Sequence, residues 1–297
     1  MVNKNINELQ ENREVTLEEV QATQKQLIRE LNRLKKVQAR VKRRTTLLVA
    51  VIAVLILITG TLAWFTLNSK ASVDNIALEI TTGVDLRVDV DNHGSDVKAY
   101  KKIITNEMVN KYLATAGGTV TSLKDMRLDP VTSSTGKPDF TFEKGSVAKA
   151  NSDTYLEYKV WFIATKDMWV HLNSNTETVE GTTTGTTAVK TSETDIKADV
   201  VKAVRISFDS PDATKIYEPN KGTPVNGQTT FDLPTPMAFS NDTRLFHLTK
   251  EEPKQVTIRL WAEGNDPECD DDVQNANIQL AMLFTGTDDN NVPMDNH

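Results

Sequence analysis

The densest set of potential ligands in this chain is one acidic stretch, Glu263-Gly264-Asn265-Asp266-Pro267-Glu268-Cys269-Asp270-Asp271-Asp272. Six of its ten residues are carboxylates. Asp266, Glu268, Asp270, Asp271 and Asp272 are the hard oxygen donors that would hold a calcium ion. Their spacing is not that of an EF-hand, and a solvated acidic turn is the plainer reading. The chain has four histidines, His93, His171, His247 and His297. None forms a His-Glu-x-x-His pair, so the common zinc-protease motif is missing. A peptidase would have to bring His93 and His171 together through the fold. No Gly-x-Ser-x-Gly elbow and no phosphate-cradling glycine loop occurs. These patterns predict a protein that is not an enzyme and has no cofactor other than, at most, calcium.

A different kind of chemistry is suggested at Thr61-Leu62-Ala63. A small residue at each end of this tripeptide suits signal-peptidase cleavage between Ala63 and Trp64. It lies in the apolar run 47–65, which holds no charged side chain. That length matches a hydrocarbon core of ~30 Å at ~1.5 Å rise per residue. Lys42, Arg43 and Arg44 precede the run, and residues 1–44 carry 11 Lys/Arg against 6 Asp/Glu. The whole chain has a formal net charge of −7, so everything after the basic front is strongly acidic. Basic residues beside a membrane segment stay on the cytoplasmic side. The layout therefore predicts a cell-membrane protein with residues 1–44 as a cytoplasmic tail and 45–66 as a transmembrane signal or anchor. Residues 67–297 form an extracellular domain, retained or released by cleavage. Both fates fit: the tail is long for a signal peptide, and the apolar run is long for its h-region.

The acidic exterior argues against nucleic acid as partner. Cys269 is the only cysteine, so an intrachain disulfide is impossible. Export without disulfides suits a Gram-positive surface.

The elements that position these groups follow from periodicity. Thr16-Leu17-Glu18-Glu19 fits a helix-capping box. Leu17, Val20, Gln24, Leu27, Leu31, Leu34, Gln38 and Val41 then alternate at three and four residues. That is the seam of a coiled coil, or the apolar face of a helix lying on the inner leaflet. Beyond Ala63 the period becomes two. Ile76, Leu78 and Ile80 share one face of a first strand, and Val84, Leu86, Val88 and Val90 one face of a second. Val97–Leu113 has helical spacing through Tyr100, Ile103, Ile104, Met108 and Tyr112. Alternation resumes at Phe140 and Phe142, at 156–163, 168–172, 204–208 and 256–260, and at 278–284. The strand 156–163 is apolar on both faces and should be central. The Thr- and Ser-rich stretch 173–195 reads as a mobile loop. Residues 210–254, with six of the ten prolines, read as loop-rich. The expected fold is all-β: an antiparallel, jelly-roll-like β sandwich with a small helical insertion, preceded by an amphipathic or coiled-coil helix and one transmembrane helix.

Two stretches resemble one family. Gly60-Thr61-Leu62-Ala63-Trp64-Phe65-Thr66, followed by Asn75 and Gly83-Val84-Asp85-Leu86, resembles the export signal and first strand of the TasA/camelysin family of Gram-positive bacteria. Arg259-Leu260-Trp261-Ala262-Glu263-Gly264-Asn265-Asp266-Pro267-Glu268-Cys269 is similar to the penultimate strand and acidic turn of clostridial relatives with that signal. The resemblance implies a jelly-roll biofilm-matrix or surface protein released by a dedicated signal peptidase. It also implies assembly into filaments by insertion of an N-terminal strand, here with Ile76, Leu78 and Ile80, into the next subunit. This chain departs in its long basic front and in Leu67, where the family has Asp. The metallopeptidase activity described for camelysin is not carried over, since no residue here matches a zinc motif. The other reading is a membrane-anchored ligand-binding or adhesive ectodomain, oligomerised by its N-terminal coiled coil.

Overall fold

The computed structural model describes residues 20, 22–36, 71–80, 86–175, 178–179, 182–183, 186–219, 225, 227–270, 273 and 275–294. The chain divides into two compact units, Met1–Leu67 and Asn68–His297. In the first, residues 22–36 form helix α1, exposed along its whole length. The apolar run 47–65 and the cleavage pair Ala63 and Trp64 lie outside the described residues. Among the described residues no helix is long and apolar enough to cross a membrane.

The second unit is built of strands. They begin with β1 (Ala71–Ile80), β2 (Leu86–Asp89), β3 (Ile103–Ile104), β4 (Arg127–Leu128), β5 (Leu156–Ala164) and β6 (Met168–Leu172). A short hairpin of β7 (Thr178–Val179) and β8 (Thr182–Thr183) precedes β9 (Ala188–Lys190). Then come β10 (Val204–Asp209), β11 (Thr214–Tyr217), β12 (Thr230–Phe231), β13 (Arg244–Leu248), β14 (Lys254–Ala262) and β15 (Asn277–Thr287). One sheet runs β13-β6-β15-β1-β3, with β4 added on β1 and β9 on β15. The other runs β12-β11-β10-β14-β5-β2. The sheets meet across one apolar core, where Phe162 of β5 lies 5.0 Å from Phe246 and 5.1 Å from Phe284, ring centre to ring centre. Such pairs interlock the two layers as a sandwich requires.

The strand at 156–163 is internal as expected, between β14 and β2. The expected all-antiparallel pairing is corrected at two places. β1 runs parallel to β15, and β11 parallel to β12. The single helix expected over Val97–Leu113 is also corrected. Only α2 (Asn106–Leu113) is α-helical, preceded by a 3-10 turn at Val97–Ala99 and by β3. The β-branched pair Ile103-Ile104 gains more by hydrogen-bonding to the edge of β1 than by extending the helix. α2 buries Val109 and Leu113 and packs on both β1 and β5, one strand from each sheet. A further α-helical turn, α3 (Val200–Ala203), leads into β10.

The stretch 173–195, expected as a mobile loop, carries β7, β8 and β9, and Val189 of β9 packs on the core. Phe140 and Phe142 do not make a regular strand. They belong to a covering segment, 129–150, held by isolated bridges such as Val131 to Glu263 and Thr132 to Thr141. This cover lies on the outer face of β14. Val131, Phe140, Ala148, Tyr155, Ile216 and Trp261 form a second, smaller core beneath it.

Candidate functional site

Two features deserve description as sites: the first strand and the acidic turn. β1 places Ala71, Val73, Ile76, Leu78 and Ile80 in the core. A bulge at Asp74 lets Val73 and Ile76 face the same side, with Asp74 and Asn75 both exposed. Ile76, Leu78 and Ile80, the residues expected to donate, are each at most 4% exposed and lie opposite Leu280, Met282 and Phe284 of β15. β15 accompanies β1 along nearly its full length. The other edge of β1 is held lightly. β4 covers Ala71 and Ser72, and β3 covers Leu78 and Glu79. Between them the backbone N–H of Ile76 donates to Oδ1 of Asn106 at 2.9 Å.

The remaining sheet edges are short or capped. Val88 of β2 exchanges backbone bonds with Lys101, and the N–H of His247 in β13 donates to Asp212. Capped, short edges resist edge-to-edge addition of another chain.

The acidic turn follows β14, and most of its carboxylates are already engaged. Asp266 is buried and pairs with the guanidinium of Arg205, which also binds Glu218 at 3.0 Å. Glu263 is fully buried and accepts from Nε1 of Trp261 at 2.9 Å and from the amide of Gln228. Glu268 is half-buried. The neighbouring Asp266 carboxylate, through a side-chain hydrogen bond, raises its pKa above the usual carboxylate value. Asp199, Pro267, Glu268 and Asp270 line an open recess. Asp271 and Asp272 lie outside the described residues. Among the described residues no three His, Cys, Asp or Glu side chains are grouped as a metal would need. Burial, reinforced by Asp266 and Glu263, pushes the Cys269 thiol up to about 12. It is therefore protonated and a poor nucleophile at neutral pH.

The structure does not unite the two histidines. His93, in the turn after β2, contacts Asp89 at 3.3 Å and packs edge-on against Tyr100. His171, in β6 of the other sheet, is fully buried between Thr243 and Thr287 at 3.1 and 3.0 Å. The hydroxyls of Thr243 and Thr287 also reach the carbonyls of Ser240 and Asp288, and which ring nitrogen of His171 donates is set by its tautomer. Burial and the adjacent Arg244 cation lower the pKa of His171 to about 4. It is a neutral, doubly hydrogen-bonded core residue.

Sequence reading missed two buried arginines, both on the outer face of the second sheet. Arg205 anchors the acidic turn. Arg259 binds Glu157 at 2.6 Å, Asp209 at 2.9 Å and the carbonyl of Gly136 at 3.1 Å. Alternation along Val204–Asp209 sets Arg205, Ser207 and Asp209 opposite the apolar face, as a solvated face would look. The cover 129–150 makes it an interior instead.

Comparison of the chain with protein-family models, with curated proteins and with solved structures finds no match.

Proposed function

We propose that this chain is an exported structural protein of the cell surface or extracellular matrix, assembling through its first strand. The observation that carries the reading is the placement of β1. It is the first strand of the β unit, downstream of the apolar run 47–65 and of Thr61-Leu62-Ala63. One edge is paired along nearly its whole length, and the other is held by short strands, by the Asn106 side chain and by a bond from the Ile80 N–H to the carbonyl of Lys102. A strand held in this way can leave its own sheet and fill the same slot in a neighbour. Every register contact is then regained between subunits by main-chain bonds and alternate side-chain pockets. The capped edges elsewhere make exchange of β1 a better route to assembly than lateral addition.

The same proposal includes a membrane segment at 47–65 with the N-terminus inside, processing after Ala63 by a dedicated signal peptidase, and the jelly-roll strand arrangement of the TasA/camelysin family. The acidic turn acts in it as a clamp: Arg205 and Asp266 tie the turn to β10, and the main-chain bonds of Val131 with Ala262 and Gly264 tie the end of β14 to the cover.

The test is the mass and N-terminal sequence of the protein recovered from cells and from medium, followed by electron microscopy of the released species. A released chain beginning at Trp64 that forms filaments supports the reading. A chain found only intact in membranes, or a released chain that stays monomeric at high concentration and across pH, refutes it.

A further inference from the structure

The helix α1, with Val20 just before it, carries a stripe of exposed apolar side chains. Val20 is 64% exposed, Leu27 66%, Leu31 50% and Leu34 62%. These residues, with Gln24 between Val20 and Leu27, follow the alternating three-four spacing of a heptad seam. Val20, Leu27 and Leu34 take d positions, and Gln24 and Leu31 take a positions. Glu30 then falls at g and Lys35 at e, the positions that flank a seam and set partner and direction.

We propose that residues 20–36 pair with the same segment of a second copy of this chain as a parallel, in-register, two-stranded coiled coil. Three features select this occupant. Parallel pairing sets Glu30 of each chain five residues before Lys35 of the other, the g-to-e′ geometry of an interhelical ion pair, twice per dimer. It also sets Gln24 opposite its own copy, so that a side-chain amide meets an amide rather than a leucine. Leu27 and Leu34 at d supply the apolar contact, while Gln24, a lone polar residue at an a position, fixes register and oligomer state at a cost in stability. The antiparallel arrangement that matches Leu27 with Leu31 fails on both polar counts. It brings Glu30 against Glu30 and buries Gln24 against Leu34. The charges thus discriminate against the wrong orientation as well as favouring the right one.

The pairing does not depend on the fate of β1 and operates on the intact chain. The test is cysteine cross-linking of the full-length protein, purified in a mild detergent. The unmodified chain, with Cys269 alone, sets the background. Leu27→Cys puts a thiol in the seam, where facing Cα atoms come within the ~7 Å a disulfide spans; Arg29→Cys puts it on the far side. Mild oxidation is expected to give several-fold more covalent dimer from L27C than from R29C. Adding Glu30→Lys to L27C is expected to lower that yield, and adding Lys35→Glu as well is expected to restore it. Equal cross-linking at 27 and 29 overturns the proposal, as does a yield indifferent to Glu30→Lys. Efficient cross-linking between Gln24→Cys and Leu34→Cys chains in a mixture overturns the parallel orientation. A chain that stays monomeric, and whose α1 amides become protected from exchange only on vesicles of anionic lipid, overturns it in favour of a lipid surface.

Discussion

Acidification should weaken the β unit through His171, by an amount that follows from its surroundings. In the folded chain the imidazole is fully buried, makes both of its hydrogen bonds as the neutral form and sits near Arg244. Its pKa falls from 6.5 to about 4. A depressed folded-state pKa on a base means that the unfolded chain binds the extra proton first. Stability from this group is therefore complete above pH ~6.5, declines as pH falls, and is fully lost below pH ~4. At ~1.4 kcal/mol per pKa unit the loss reaches about 3 kcal/mol. Urea unfolding at a series of pH values measures it, with His171→Gln as the comparison. The variant is less stable at pH 7, because it gives up a fitted two-bond contact. Its stability should also fall less steeply between pH 6.5 and 4, and the difference between the two curves isolates this one group from the carboxylates. An NMR titration placing the His171 imidazole near pH 6.5 in the folded protein would refute the argument. So would parallel pH profiles for the two proteins.

Truncating Leu78 to Ala, at a site with no exposure opposite Met282, should cost about 3 kcal/mol in denaturant unfolding and loosen β1 before the rest of the sheet in hydrogen exchange. Arg205→Met leaves Glu218 and Asp266 as buried carboxylates without their cation and should cost about 3–5 kcal/mol, with the largest loss of amide protection in the acidic turn. Gly136→Ala places a Cβ 2.7 Å from that of Ser207 at a residue with φ of +68°, and should lower stability by about 1–3 kcal/mol in the same assay. Tyr158→Phe should go the other way. The Tyr158 hydroxyl is buried with no hydrogen-bond partner among the described residues, so its removal should leave stability unchanged or raise it by about 1 kcal/mol.

Period-two alternation located β1, β2, β5, β6, β10, β14 and β15 because each presents one apolar face to a single shared core. That signal is local and survives any topology. What it cannot encode is direction. β1 and β15 lie at opposite ends of the β unit in sequence, and nothing in Ile76-Ala77-Leu78-Glu79-Ile80 distinguishes a parallel partner from an antiparallel one. The helical spacing of Val97–Leu113 misled because Tyr100, Ile103 and Ile104 are apolar for another reason. Tyr100 and Ile104 are buried, while Ile103 sits half-exposed on the edge of β1. The outer face of β10 was illegible for a third reason. Arg205 and Arg259 look solvated until residues more than fifty positions away fold over them. The acidic stretch 263–272 stood out for its charge. Two of its carboxylates, Glu263 and Asp266, proved to be interior groups already matched to Gln228, Trp261 and Arg205.

The parallel union of the first and last long strands has a mechanical consequence. The leading end of β1 and the trailing end of β15 emerge from opposite ends of the ladder that runs from Ser72–Asn277 to Ile80–Phe284. Tension applied between the two chain termini therefore acts along the strands, and the inter-strand bonds, which lie across that direction, share the load in shear. An antiparallel hairpin pulled from its two free ends would instead open one bond at a time. A domain wired in this way meets stretching between its two ends with many inter-strand bonds loaded at once.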